Sequence, residues 1–206
     1  RQRDALATLA ALLAVGGVVA YRMRARRAEE AERLSLTDPL TGVRNRRFLE
    51  QVADGELAHS VRRHRRALAR GERAVEADLI VFAIDLDHFK QVNDVHGHAA
   101  GDRVLRAVAA ALGAVCRESD VLARWGGEEF VLVSRLTERD QAHVVAERLR
   151  RAVADVAVPL GASGGGREPA TVRVTASVGY VAFPLFPDAP AAMPLADVVA
   201  LADHAG

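Results

Sequence analysis

The sequence predicts an α+β domain: a central, mostly antiparallel sheet flanked by helices, preceded by a transmembrane helix and a short helical stalk. Three observations carry that expectation. Residues 5–21 are apolar and uncharged, with an arginine cluster directly behind them. Residues 79–86 (LIVFAIDL) are a continuous run rich in β-branched side chains, as in a strand buried on both faces. Two further apolar runs, 121–125 and 130–136, flank Gly126-Gly127-Glu128-Glu129, which is the pattern of a β-hairpin.

Composition narrows the class. Hydrophobic residues make up 50% of the chain and charged ones 27%, which suits a folded protein rather than a disordered one. The 28 basic and 27 acidic side chains nearly cancel, so bulk charge gives no reason to expect nucleic acid as a partner. The single cysteine, Cys116, excludes an internal disulfide framework and fits a reducing compartment. It reads as a small buried apolar residue on a helix.

Taken in order, residues 5–21 as a helix span about 25 Å, slightly short of a bilayer core. Tyr21 suits the interface, and Arg22, Arg24, Arg26 and Arg27 predict that the chain after it faces the cytoplasm. A signal peptide would place small residues where this basic cluster stands; a buried soluble helix is the other reading. The chain opens on Arg1 rather than methionine, as if cut from a longer protein. The membrane segment with its basic flank is placed at 1–24 and a helical stalk at 25–36. At Thr37-Asp38-Pro39 the proline ends the helical pattern, and the globular domain is expected over 37–206.

Within that domain, residues 43–70 are helical in composition and rich in arginine, read as a solvated helix face for want of interleaved aromatics. After the strand at 79–86, a helix over 99–115 carries Val104, Leu105, Val108, Leu112 and Val115 on one stripe. The hairpin follows, then an amphipathic helix over 137–156 marked by Val145, Leu149 and Val153. A glycine-rich loop at 161–168 and a last strand over 172–183 complete the order.

The chemistry gathers at strand ends. Asp85 and Asp87 close the first buried strand, and Glu128 and Glu129 occupy the hairpin tip. A carboxylate from each, meeting at one sheet edge, would suit Mg²⁺, which also takes substrate phosphates into its shell. Acids at strand ends are otherwise simply solvated. The glycine pair favours the ligand reading, since it lets the backbone approach a bulky group closely. Lys90 stands where a phosphate would meet a helix start, and Asn93 and Asp102 offer groups that pair with a purine edge. These residues alone indicate a metal-dependent enzyme acting on a nucleotide.

Four ordered motifs then resemble the GGDEF family of diguanylate cyclases. They are LTDPLTGVRNRR at 36–47, DLDHFKQVNDVHGHAAGD at 85–102, GGEEF at 126–130 and VTASVGY at 174–180. The resemblance implies a palm-like fold, as in nucleotide polymerases and nucleotidyl cyclases, and condensation of two GTP into cyclic di-GMP by a homodimer. It implies Asp85, Glu128 and the Leu86 carbonyl as ligands of two Mg²⁺ (or Mn²⁺) per site. Glu128 would be the base and Glu129 a supporting acid. Phe89 and Lys90 would meet the triphosphate, Asn93 and Asp102 read guanine, His98 line the same wall, and Gly126 and Gly127 admit the substrate. Arg117 and Asp120, by themselves an ordinary surface ion pair, resemble the family's inhibitory product site. The implied location is the cell inner membrane, anchored through 5–21, with the catalytic domain cytoplasmic. An alternative is a weak or inactive cyclic di-GMP sensor. The family pattern departs at Ala202–Gly206, where the usual helix with its tyrosine, lysine and arginine is expected to be truncated, leaving part of the sheet uncovered.

Overall fold

The computed structural model describes residues 21–23, 35–74, 77–135, 137–160 and 171–205. Residues 37–206 form a unit of their own, separate from 1–36. A two-residue strand, β1 (Arg44–Asn45), leads into helix α1 (Arg46–Ala69). Next come β2 (Leu79–Leu86), α2 (Phe89–His96), α3 (His98–Val115), β3 (Val121–Gly126) and β4 (Glu129–Arg135). A 3₁₀ turn (Arg139–Gln141) precedes α4 (Ala142–Ala154), then β5 (Ala157–Pro159), β6 (Thr171–Arg173), β7 (Ala176–Phe183) and α5 (Leu195–Asp203). The main sheet runs β1-β3-β4-β2-β7, antiparallel throughout except for the β1–β3 pair. The α+β, palm-like expectation therefore holds for residues 37–205.

Strand β2 explains the layering. Its even positions, Ile80, Phe82, Ile84 and Leu86, meet Val104, Leu105, Val108 and Leu112 of α3 and Val145, Leu149 and Val153 of α4. Its odd positions, Leu79 and Val81, meet Leu49, Leu57 and Val61 of α1 and Leu195, Val198 and Val199 of α5. With helices on both faces, alternation is lost and the strand reads as one apolar run. Helix α1 starts where the Asn45 side chain accepts the Phe48 N–H at 2.9 Å, an N-cap. It buries Leu49, Ala53, Leu57 and Val61, a stripe of four-residue spacing on the sheet side.

Several expectations need correcting. Among the described residues no helix is long and apolar enough to cross a membrane. The expected span at 5–21 lies outside the described residues except for Tyr21, as do the stalk up to residue 34 and the loop at 161–168. The transmembrane helix and the inner-membrane location are accordingly withdrawn. The strand expected over 172–183 is two strands broken at Val174-Thr175, and the helix expected from 137 starts with a 3₁₀ turn. The sheet is covered at its C-terminal edge, because α5 buries Leu195, Val198, Val199 and Ala202. Cys116 follows α3 as its C-cap and is half-buried, its thiol pushed up to about 11 by burial and by Asp120, against Arg148.

A buried polar knot ties α1 and the 3₁₀ turn to the residues just before β2. Asp78 accepts from Arg139 Nη2 at 2.6 Å and Nε at 3.0 Å, and lies 3.2 Å from His64 Nε2. Ser60 Oγ donates to the Ala77 carbonyl at 2.6 Å. Replacing Asp78 with alanine strands the guanidinium and imidazole, and is expected to cost roughly 2–3 kcal/mol in urea denaturation. Glu50→Ala, which breaks an exposed pair with Arg46, is expected to cost under about 0.5 kcal/mol. Equal losses from the two variants would refute the reading of the knot.

Candidate active site

The hairpin that carries the acids depends on one extra residue. Arg124 pairs with Phe130, but Gly126 pairs with Glu129, so the register shifts by one at Trp125. Without that bulge the turn would hold an odd number of residues. With it, Gly127 and Glu128 make a two-residue turn, and Gly127 takes the left-handed φ of 24°. Arg124 fixes this turn: Nε and Nη2 donate to the Gly127 carbonyl at 2.9 and 2.7 Å. Its Nη1 donates to both Asp38 carboxylate oxygens at 3.2 and 3.3 Å. Burial alone would raise Asp38, but hydrogen bonds from Thr41 and Arg124, with the Arg124 charge, hold it below its ordinary value.

Pairing of β2 with β4 sets Asp85 directly opposite Glu129. The Asp85 carboxyl is raised by burial and then by Glu128, Asp203 and Asp87, with the Leu86 N–H offsetting part of this. Glu129 is likewise raised by burial, then by Asp85, Asp203 and Glu128, against Arg46. Asp85, Glu128 and Glu129 are thus brought together as expected, and Asp203 from α5 joins them. A cavity of about 190 Å³ lies over Asp85 and Glu129, walled by Arg46, Trp125, Val199 and Asp203. The Arg46 guanidinium stacks 4.4 Å from the Trp125 ring centroid. Asp87 is turned to another use: Thr175 Oγ1 and Ser177 Oγ both donate to it, clamping the end of β2 to β7.

Beyond β2, His88 adopts a left-handed φ of 58° and starts α2, whose first N–H groups belong to Phe89 and Lys90. The Phe89 ring is buried in the core, so what it offers a phosphate is its backbone N–H. Lys90 is exposed. Gly97, at φ 79°, turns the chain from α2 into α3. A methyl group at Gly101 would collide with the Asn93 amide, so glycine there leaves room for the Asn93 side chain between α2 and α3. His98 stands one turn before Asp102 on α3, and Arg106 approaches Asp102 at 4.0 Å.

Asp120 accepts the Arg117 N–H at Oδ2 and the Ser134 hydroxyl at Oδ1, both at 2.8 Å. Arg148 of α4 lies nearby, since its charge and that of Asp120 both act on Cys116. The Arg148 Nε is buried without a hydrogen-bond partner. Sequence reasoning did not find Arg148, Asp203, Arg46, Trp125 or Gly101 as functional. Only Gly101 and Arg46, inside quoted motifs, left a local signal.

Among the described residues no three His, Cys, Asp or Glu side chains converge closely enough to hold a cation alone. Asp85, Glu128 and the Leu86 carbonyl nevertheless fit Mg²⁺, which takes one or two carboxylates and fills its shell with water and phosphate. Burial, and then repulsion from neighbouring carboxylates, raises both Asp85 and Glu129.

That repulsion has a pH signature. Asp85 and Glu129 are raised in the folded chain, so the fold binds more protons than the unfolded chain in the window above about pH 4. Their penalty is full above the folded values and disappears as pH falls through them. The melting temperature of Glu129→Gln, measured without metal, is expected to exceed that of the parent near neutrality and to converge with it in acid. Parallel curves would sink this account.

Residues 35–205 match the family described as diguanylate cyclase, GGDEF domain. Diguanylate cyclase DgcP of Pseudomonas aeruginosa is 40% identical over 155 residues, 75% of this chain and 20% of DgcP. Cyclic di-GMP phosphodiesterase NbdA of the same organism is 35% identical over 147 residues, 71% of this chain and 16% of NbdA. This chain thus spans a fifth or less of either relative's length. The coiled coil and GGDEF domain of DgcB from Caulobacter crescentus, solved in complex with c-di-GMP, superposes with a TM-score of 0.61 at 26% identity. That superposition covers 95% of this chain and 91% of the other. With motifs, fold and family match agreeing over the same residues, the chain belongs to the GGDEF domain family of diguanylate cyclases.

Proposed function

We propose that residues 37–206 are a catalytic domain that condenses two GTP into cyclic di-GMP, releasing two pyrophosphates, with residues 25–36 as a preceding stalk. The observation that carries this reading is the register that sets Asp85 at the end of β2 opposite Glu129, with Glu128 at the hairpin tip and α2 starting four residues after Asp85. Asp85, Glu128 and the Leu86 carbonyl would hold two Mg²⁺ or Mn²⁺. When bound, the metal lowers the pKa of the attacking 3′-hydroxyl and neutralises charge on the leaving pyrophosphate. Glu128 takes the 3′-hydroxyl proton as the hydroxyl oxygen bonds to the α-phosphorus of the other GTP, and the α–β phosphoanhydride breaks to release pyrophosphate. Glu129 keeps the site negative, the Phe89 and Lys90 N–H groups with the Lys90 ammonium meet the triphosphate, and Gly126 and Gly127 leave it room. Asp102 accepts from the N1–H and N2–H donors of guanine, and Asn93 and His98 stand on the same wall.

Each subunit holds one GTP, and two subunits face each other across a two-fold axis. Arg117 and Asp120, with the unpartnered Arg148 Nε, form the site at which product binds and inhibits. A second reading, a cyclic di-GMP-binding domain with little or no turnover, is favoured by one observation. NbdA, a relative of similar identity, is named for the opposite reaction.

Turnover of GTP with Mg²⁺, followed by chromatography, separates the two. The parent is expected to form cyclic di-GMP with a specific activity that rises with protein concentration. Glu128→Gln is expected to lose on the order of 10²–10⁴-fold, and Asp102→Ala on the order of 10–100-fold in kcat/KM. A folded parent that makes no product yet binds cyclic di-GMP leaves the sensor reading.

A further inference from the structure

The acidic half of the R-x-x-D pair is not held by its own loop alone. Ser134, near the end of β4, is 1% exposed and paired in register with Ile80, directly after the buried apolar run Phe130–Val133. A hydroxyl at such a position is costly unless it is hydrogen-bonded. Ser134 Oγ donates its one proton to Asp120 Oδ1 at 2.8 Å, because an ionised carboxylate only accepts. Thr137 Oγ1, also buried at 4%, lies 2.8 Å from Ser134 Oγ and is closer to it than to the Arg135 carbonyl at 3.4 Å. With the Ser134 proton committed, Thr137 donates to Ser134. The three groups form a chain in which each hydrogen bond polarises the next.

The other oxygen of Asp120 is taken by the Arg117 N–H. The two contacts pin both carboxylate oxygens and fix the plane in which their remaining lone pairs point. A guanine edge offers two parallel N–H donors, and it binds best where two acceptor oxygens already stand in one plane. We propose that Ser134, oriented by Thr137, is a positioning residue for product recognition: it presets the Asp120 carboxylate without touching the ligand. This rests on the reading of Arg117 and Asp120 as the cyclic di-GMP site.

The test is calorimetric titration of cyclic di-GMP into the full chain and its Asp120→Ala, Ser134→Ala, Ser134→Thr and Thr137→Val variants, with initial GTP turnover measured alongside. Ser134→Ala is expected to weaken product affinity about tenfold, the effect of one charge-assisted hydrogen bond. Ser134→Thr restores most of it, Thr137→Val shows a smaller loss, and uninhibited turnover stays at the parent's level in all three. If Asp120→Ala weakens binding while Ser134→Ala binds as the parent does, the relay is only structural and the proposal is overturned. If Asp120→Ala itself binds as the parent does, the product-site reading fails and takes the proposal with it.

Discussion

The structure depends on the register between β2 and β4. That pairing sets Asp85 across from Glu129 and, in the same stroke, Ile84 across from Phe130. The second pair is buried in the core beside α3 and α4, and the first is turned toward α1 and α5. Side chains alternate along a strand, so a slip of one residue would send the acids into the apolar core. The apolar register is therefore what keeps two like charges side by side. Their repulsion is imposed by the burial of Phe82, Ile84, Phe130 and Leu132, all essentially inaccessible to water.

Around this register the polar residues divide between holding and reacting. In Asp85-Leu86-Asp87, the first carboxylate joins the acidic cluster, while the second is occupied by Thr175 and Ser177. Arg124 is likewise a holding residue, spanning from the Gly127 carbonyl to Asp38 at the start of the domain. Each reacting group is thus flanked by one whose hydrogen bonds are spent on keeping the backbone still.

Much of this was legible in the sequence because the signals were local. The runs at 79–86, 121–125 and 130–136 announced the sheet, and the glycine pair announced the turn. What was missed depends on contacts between distant segments. The break between β6 and β7 coincides with the Asp87 clamp. Strand β1 is two residues long and is set by its pairing with β3, with Arg44 also bridged to Thr37. Asp203, Arg46 and Trp125 meet over Asp85 from three different elements. Helix α5 is a different case. Leu195, Val198, Val199 and Ala202 repeat at helical spacing, a local signal that was legible in the sequence.

The bulge at Trp125 bears on how such a sequence can change over time. The two-residue turn forms only because one surplus residue is absorbed in β3. Between Arg124 and Phe130, substitution alters a side chain, but insertion or deletion alters the parity of the loop. A single-residue indel would shift either the Arg124 grip or the tip that carries Glu128. What descendants of this chain must inherit at the hairpin is first its length, and only then its letters.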